Sequence, residues 1–184
     1  MQQEPIALVR CGDVSAGDVE KQARREPHYR PGVKAILFDP TPVEPLVLLG
    51  MLPVGYVVHR FNFPGGGIDE GEDLATALLR EMTEEGGCLD LTIEQVRQSL
   101  VVAKGRLPFS RDGYIGKYEY LVAVPFVGLD RFVPLHDSKI TLFPPLPWDV
   151  ASKKVWEDTR VHLDQRVLYT RGIREVPRAV RLML

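Results

Sequence analysis

The chain has 184 residues, 45% of them hydrophobic and 26% charged, enough to bury the core of one domain. Its formal net charge of −2 excludes a whole-molecule electrostatic attraction to nucleic acid or anionic lipid. Cys11 and Cys88 form neither a metal pattern nor a disulfide framework, MQQEPIALVR lacks the basic-then-apolar order of a signal peptide, and no apolar run approaches the roughly 20 residues that span a bilayer, so a cytoplasmic protein without membrane contact is expected.

Residues 1–31 read as an N-terminal extension, with a short helix over Ala16–Arg25 that Pro27 stops, and 32–184 as the domain proper. Val33–Phe38 and Leu46–Met51 are strand-like, and the prolines of Asp39–Pro45 make the segment between them a loop. Tyr56–His59 and Arg60–Phe63 are β-prone and lead into the loop Pro64-Gly65-Gly66-Gly67. A helix follows from about Leu74 to Gly86, with Asp73 as N-cap and Gly87 as the left-handed residue that closes it. Leu100–Lys104 and Tyr118–Phe126 read as strands separated by a polar loop, Gly105–Lys117. A second helix opens at Trp148-Asp149. Its stripe is Ala151, Val155, Thr159, Leu163 and Val167, and Arg171-Gly172 is expected to end it. Strands of antiparallel type with two separate helices give an α/β class, a mixed sheet held between helices.

Charge is unevenly spread. Nine acids and one base, Arg80, lie between Gly66 and Glu94, whereas eight bases and four acids lie from Ala151 onward. On the first helix Glu84 and Glu85 stand three and four positions after Glu81, so the three share one face, while Leu74, Ala77, Leu78 and Met82 form a neighbouring face that can pack on a sheet. Like charges at these spacings repel, and they stand near the helix C-terminus, where the macrodipole disfavours anions. A hard divalent cation would remove that conflict, because carboxylate oxygen is the donor it prefers. Arg80 can pair with and orient one of the carboxylates.

The stretch Gly66, five residues, Glu72, seven residues, then Arg80-Glu81-Met82-Thr83-Glu84-Glu85-Gly86-Gly87-Cys88 resembles the signature of the Nudix hydrolases. Every fixed position of that signature is met, and the departure is Cys88, which stands where the family carries a bulkier apolar residue. The resemblance implies a Nudix-type α/β/α sandwich with a mixed β-sheet and hydrolysis of a diphosphate linkage in a nucleoside diphosphate-linked substrate. It implies Mg²⁺, with Mn²⁺ as a substitute, bound by Glu81, Glu84 and Glu85. Arg80, Glu84 and Glu85 would be catalytic, and Gly66, Glu72 and Gly87 would hold the loop–helix–loop. The general base is left open between a box glutamate and an acid from outside the box, for which Glu119, Asp130 and Asp137 are candidates.

For the substrate, His28-Tyr29-Arg30-Pro31-Gly32-Val33 looks like the Tyr-Arg-Pro entry of RNA 5′-pyrophosphohydrolases and plant-type dinucleoside polyphosphate hydrolases, and Arg106-Leu107-Pro108 is loosely similar to a basic segment there. Pro64-Gly-Gly-Gly67 stands where those relatives usually have Pro-Gln-Gly-Gly. Arg30, Arg106, Arg111 and Tyr114 are the candidate substrate-binding residues, and RNA and a second copy of the chain are candidate partners. The alternatives are a nucleotide-sugar or (deoxy)nucleoside triphosphate pyrophosphatase, or, from another class, a non-catalytic ligand-binding regulator on the same fold.

Overall fold

Val33–Phe38 carries apolar side chains on both faces of a strand, which suits a position deep within a sheet covered on both sides. The computed structural model, which describes residues 8–54, 58–85, 90–111, 113–132, 141–159 and 162–183, places it there. Among the described residues, six strands form one mixed sheet in the order β1 (Val9–Arg10), β6 (Leu100–Arg111), β7 (Tyr114–Pro125), β2 (Tyr29–Asp39), β3 (Leu46–Val47), β9 (Leu146–Pro147). β2 and β7 run parallel, and the other pairs of that sheet are antiparallel. A smaller antiparallel sheet has the order β5 (Val58–Asn62), β4 (Gly50–Val54), β8 (Thr141–Leu142).

Alternation along the two central strands builds two cores. Val33, Ala35 and Leu37 of β2, with Val122 and Val124 of β7, face α1 (Ala16–Arg25), α2 (Leu74–Glu85) and α3 (Ile93–Gln98). Ile36, Phe38, Leu121 and Ala123 face α4 (Trp148–Glu157) and α5 (Leu163–Met183). The architecture is the expected α/β/α sandwich around a mixed sheet. In β6 a register shift between Val101 and Ala103 turns Val102 and Ala103 toward the same core. Cys11 and Val19, from the segment before β2, are buried in the first core. Burial pushes the Cys11 thiol up to about 12, so it behaves as a small apolar side chain.

Ser15 and Asp18 form a capping box at the start of α1, and Asp73 Oδ1 accepts from Thr76 N at 2.7 Å at the start of α2. The apolar face of α2 is fully buried at Leu74, Ala77, Leu78 and Met82. Each such Leu or Met contributes about 1.5–3 kcal/mol relative to exposure, which fixes the rotation of the helix and hence the side on which its glutamates emerge.

Four expectations are corrected. Gly105–Lys117 is not a loop: β6 and β7 continue through it as a hairpin in which Arg111 pairs with Tyr114, and Gly113 sits at φ 85° after Asp112. Leu46–Met51 splits between β3 and β4, which belong to different sheets. The stripe from Ala151 to Val167 is not one helix. α4 ends at Glu157 before the buried Asp158, Leu163 and Val167 are exposed, and the buried face of α5 is Leu168, Ile173, Val176 and Ala179. Gly172 does not end α5 but lies inside it, and the helix runs on through Pro177. The short helix α3, capped by Thr92 and Gln95, is an element beyond those the sequence pattern announces. Tyr56, Val57, Gly86, Gly87 and Cys88 lie outside the described residues.

Gly172 lets α5 approach the sheet. A Cβ there would lie 2.8 Å from both Ile36 Cδ1 and Leu121 Cδ1. Helix propensity alone favours almost any residue over glycine at this position. Overpacking should outweigh it: Gly172→Val is expected to destabilise the protein by about 1–3 kcal/mol, read as a lower urea midpoint at unchanged m-value.

Candidate active site

The three glycines before α2 form an edge segment on β2. Ala35 N donates to Pro64 O at 2.8 Å, Val33 N to Gly66 O at 3.0 Å, and Ile68 N to Pro31 O at 3.1 Å. This works because β3 pairs only with Phe38 and Asp39, which leaves the earlier part of β2 open. Gly65 has φ 125°, and a Cβ on it would lie 2.3 Å from Val33 O. A Cβ on Gly66 would lie 2.3 Å from Glu81 Oε2. The Gly-Gly dipeptide is therefore required by the backbone on one side and by a box carboxylate on the other.

Both polar groups of Gly65 are held by charged side chains. Its N–H donates to Glu85 Oε2 at 2.6 Å, and its carbonyl accepts from Lys34 Nζ, which is 5% exposed. Arg80 binds the loop to the helix. Its Nε and Nη2 each lie 2.9 Å from Glu72, Nη2 also donates to Gly67 O at 2.9 Å, and Nη1 donates to Glu81 Oε1 at 2.9 Å. Glu72 in turn accepts from Asp69 N at 2.9 Å. Glu84 is largely exposed and reaches Arg80 only at 3.5 Å.

The charges answer to this geometry. Hydrogen bonding to Arg80 holds the Glu72 carboxyl below its usual range, despite partial burial. Burial pushes Glu85 above the usual carboxylate range. Lys34 and the Gly65 N–H oppose that shift, and Glu81 and Glu84 add to it. Burial, with Lys34 and Arg30 nearby, pulls Lys117 below the usual lysine range, against the pull of Glu119 and Glu81. Glu119 is 3% exposed, and the Tyr169 hydroxyl lies 3.3 Å from its Oε2 and 2.8 Å from Asn62 Oδ1.

The structure thus brings together Arg80, Glu72, Glu81, Glu85 and Gly66, with Glu84 on the outer side of the same helix. Glu119 joins them from β7: a Cβ on Gly32 would lie 3.1 Å from Gly66 O and 3.5 Å from Glu119 Cγ. Gly87, Asp137 and the side chains of Asp130 and Arg111 lie outside the described residues. Arg30 and Tyr114 line one cleft beside the box loop, whereas Arg106 is directed to Glu26, at 2.6 and 2.7 Å, and lies over the Tyr29 ring. Lys34 and Tyr169 are site residues that the sequence motifs do not single out. A lysine inside the apolar run Val33–Phe38 is itself a signal, since lysine is seldom buried without a partner.

Among the described residues, no three His, Cys, Asp or Glu side chains converge into a metal cage. Glu81 and Glu85 nevertheless meet at the same glycine turn with Glu84 beside them. Their oxygens suit a hard divalent cation, and such a cation would relieve the repulsion that helps to raise Glu85.

The family model described as the NUDIX domain matches residues 28–131. The chain belongs to the NUDIX family. The RNA pyrophosphohydrolase of Caulobacter vibrioides is 43% identical over 61 residues, which are 33% of this chain and 34% of that protein. The match therefore spans about a third of that relative's length. Two solved structures share the fold. The E. coli ORF135 protein has a TM-score of 0.53 at 19% identity, over 83% of this chain and 93% of that one. A C. elegans Ap4A hydrolase binary complex has a TM-score of 0.52 at 17% identity, over 81% and 96% respectively. No helix among the described residues is long and apolar enough to cross a membrane.

Glu85→Gln keeps an acceptor for Gly65 N–H and removes a buried charge. The folded-state pKa of Glu85 lies above that of the unfolded chain, so its ionisation costs the wild type stability as pH rises through the folded value. With a chelator present, Glu85→Gln is expected to melt higher than wild type at pH 8, by on the order of 2 °C. The difference should vanish below the ordinary carboxylate pKa, which thermal unfolding followed across pH checks.

Proposed function

We propose that the chain is a divalent-metal-dependent pyrophosphohydrolase that cleaves a diphosphate linkage in a nucleotide substrate. The observation that carries this function is the folded box itself: the Arg80-tied loop and helix set Glu81 and Glu85 against one glycine turn. Among substrates, dinucleoside polyphosphates and 5′-triphosphorylated RNA are favoured. Tyr29-Arg30-Pro31 and the similarity to an RNA pyrophosphohydrolase support that preference. A regulator without turnover would not need all the box carboxylates, and this box keeps them.

Glu81, Glu84 and Glu85 are the residues that would hold the metal, Mg²⁺ or in its place Mn²⁺. Such an ion supplies neutralisation of the diphosphate charge and activation of water. The chain's own residues do the rest. Arg80 fixes Glu81 and the Gly67 carbonyl, so the loop and the carboxylates share one geometry. Lys34 fixes the Gly65 carbonyl. Glu84, exposed and lightly held, is the box carboxylate with the freedom to take a proton from water, and Glu119 is the acid outside the box that stands at the same place.

Purified protein should be assayed with Mg²⁺ against dinucleoside polyphosphates, nucleotide sugars, nucleoside triphosphates and 5′-triphosphorylated RNA, reading released phosphate and nucleotide. Turnover on the first or last class is expected. Glu85→Gln is expected to lower kcat by at least about 100-fold while the fold, read by circular dichroism, is kept. Turnover that survives in Glu85→Gln and Glu81→Gln would remove the box from the reaction.

A further inference from the structure

The helix α5 lies beyond the family match at 28–131, yet it reaches the site. Its placement follows from close packing: Gly172 sits against Ile36 of β2 and Leu121 of β7, where a Cβ would lie 2.8 Å from both side chains. One turn toward the helix N-terminus stands Tyr169, and two residues before Leu121, on the same face of β7, stands Glu119. Both side chains are buried. The Tyr169 ring packs on Phe63, with centroids 4.8 Å apart and planes at 50°, and Gln165, a turn earlier, donates to Phe61 O at 3.2 Å. The helix thus holds the segment that enters the glycine turn and sets one hydroxyl beside one carboxylate. That carboxylate stem stands across Gly32 from Gly66, against which Glu81 packs.

The Tyr169 hydroxyl lies 2.8 Å from Asn62 Oδ1 and 3.3 Å from Glu119 Oε2, two acceptors for the single hydrogen that a phenol donates. Electrostatics decides between them, because a hydrogen bond to an ionised carboxylate is about twice as strong as one to a neutral oxygen. The amide of Asn62 can turn over, which presents its NH2 to the phenol oxygen and frees the hydrogen for Glu119. A distance of 2.8 Å suits N–H···O as well as O–H···O. The terminal torsion of a glutamate has a broad well, so a small rotation shortens the 3.3 Å contact. The chain of donors then runs from Asn62 through Tyr169 to Glu119. Lys117, two residues earlier on the same face of β7, attracts the same carboxylate. A carboxylate on a rotatable stem beside a competing cation needs a second hold to keep one aim.

We propose that Tyr169 is a positioning residue: its hydroxyl, backed by Asn62, aims the Glu119 carboxylate at the box glutamates. This rests on the hydrolase reading above, in which Glu119 is the acid outside the box. It gives α5 a part in the reaction that covering the sheet does not require.

Kinetics of the full chain with Mg²⁺, on the panel substrate that it turns over fastest, separates aiming from support. Tyr169→Phe keeps the ring on Phe63 and removes the oxygen. It is expected to lower kcat about tenfold or more, the scale of one hydrogen bond to a charged group, with KM within about twofold of wild type. Asn62→Ala removes the backing amide and should lower kcat about threefold. Glu119→Gln should lower kcat about 100-fold, and adding either change to it should alter kcat by less than about twofold. Melting temperature identifies a variant that fails to fold, and the other variant then decides. An unchanged kcat in Tyr169→Phe, or a loss that persists in full in the Glu119→Gln background, overturns the positioning role while the hydrolase stands. A second readout needs no turnover: Tyr169→Phe should lower the urea midpoint, and by no more than about half as much in the Glu119→Met background. If that coupling is found but the wild type hydrolyses nothing, the Tyr169–Glu119 contact stands, and the hydrolase reading falls together with the role of the contact in turnover.

Discussion

The guanidinium of Arg80 ties the box together. Five N–H donors in a rigid plane reach a bidentate carboxylate on Glu72, the Gly67 carbonyl and Glu81, and so fasten a loop without regular structure to a helix that the core already fixes. These hydrogen bonds push Arg80 above even the ordinary arginine range, so it stays charged at any pH at which the protein is folded. Glu72, eight residues earlier, is held ionised by the same contact. The sequence spacing from Glu72 to Arg80 is thus the length of chain that lets a loop turn back and meet the second turn of the helix. A lysine could replace the charge but not the fork.

Around that tie, the sheet has one apolar end and one charged end. Toward Phe38 and Val124 both faces are apolar and sealed by helices. Toward Tyr29 and Gly116 the same face of β2 and β7 carries Arg30, Lys34, Lys117 and Glu119 close to Glu81 and Glu85. Buried charges of this kind cost stability unless they have partners; Lys34 and Glu85 find theirs on the glycine turn, and Glu119 accepts from the Tyr169 hydroxyl. Lys34 and Glu85 grip the carbonyl and the N–H of the single residue Gly65, so the loop conformation and the placement of a box carboxylate are set together.

Much of this was legible in the sequence. The buried strand Val33–Phe38, the helix at Ala16–Arg25 and the amphipathic helix after Asp73 follow from periodicity and capping, and the box glutamates declare themselves by a spacing that costs the helix energy. Harder to see was the hairpin from Gly105 to Lys117. Charged residues, three glycines and Pro108 interrupt the apolar alternation there, yet Asp112-Gly113 in the sequence is the dipeptide that a tight hairpin favours. The second helix is hard to delimit because a four-residue repeat continues by chance across the break after Glu157, and Gly172 reads as a terminator although it packs closely on Ile36 and Leu121. The contributions of Lys34, Glu119 and Tyr169 to the site depend on parallel pairing of β2 with β7 and on α5 covering them, long-range relations that periodicity does not encode.

A double-mutant cycle on Glu72→Gln and Arg80→Met, with stability measured by urea denaturation of both single variants and the double, tests the tie itself. If Arg80 holds the loop through Glu72, the two changes should be coupled by about 1–3 kcal/mol, the double variant losing far less than the sum of the singles. Additive losses, with coupling within about 0.5 kcal/mol of zero, would mean that the loop is held by other contacts and that Arg80 is not its anchor.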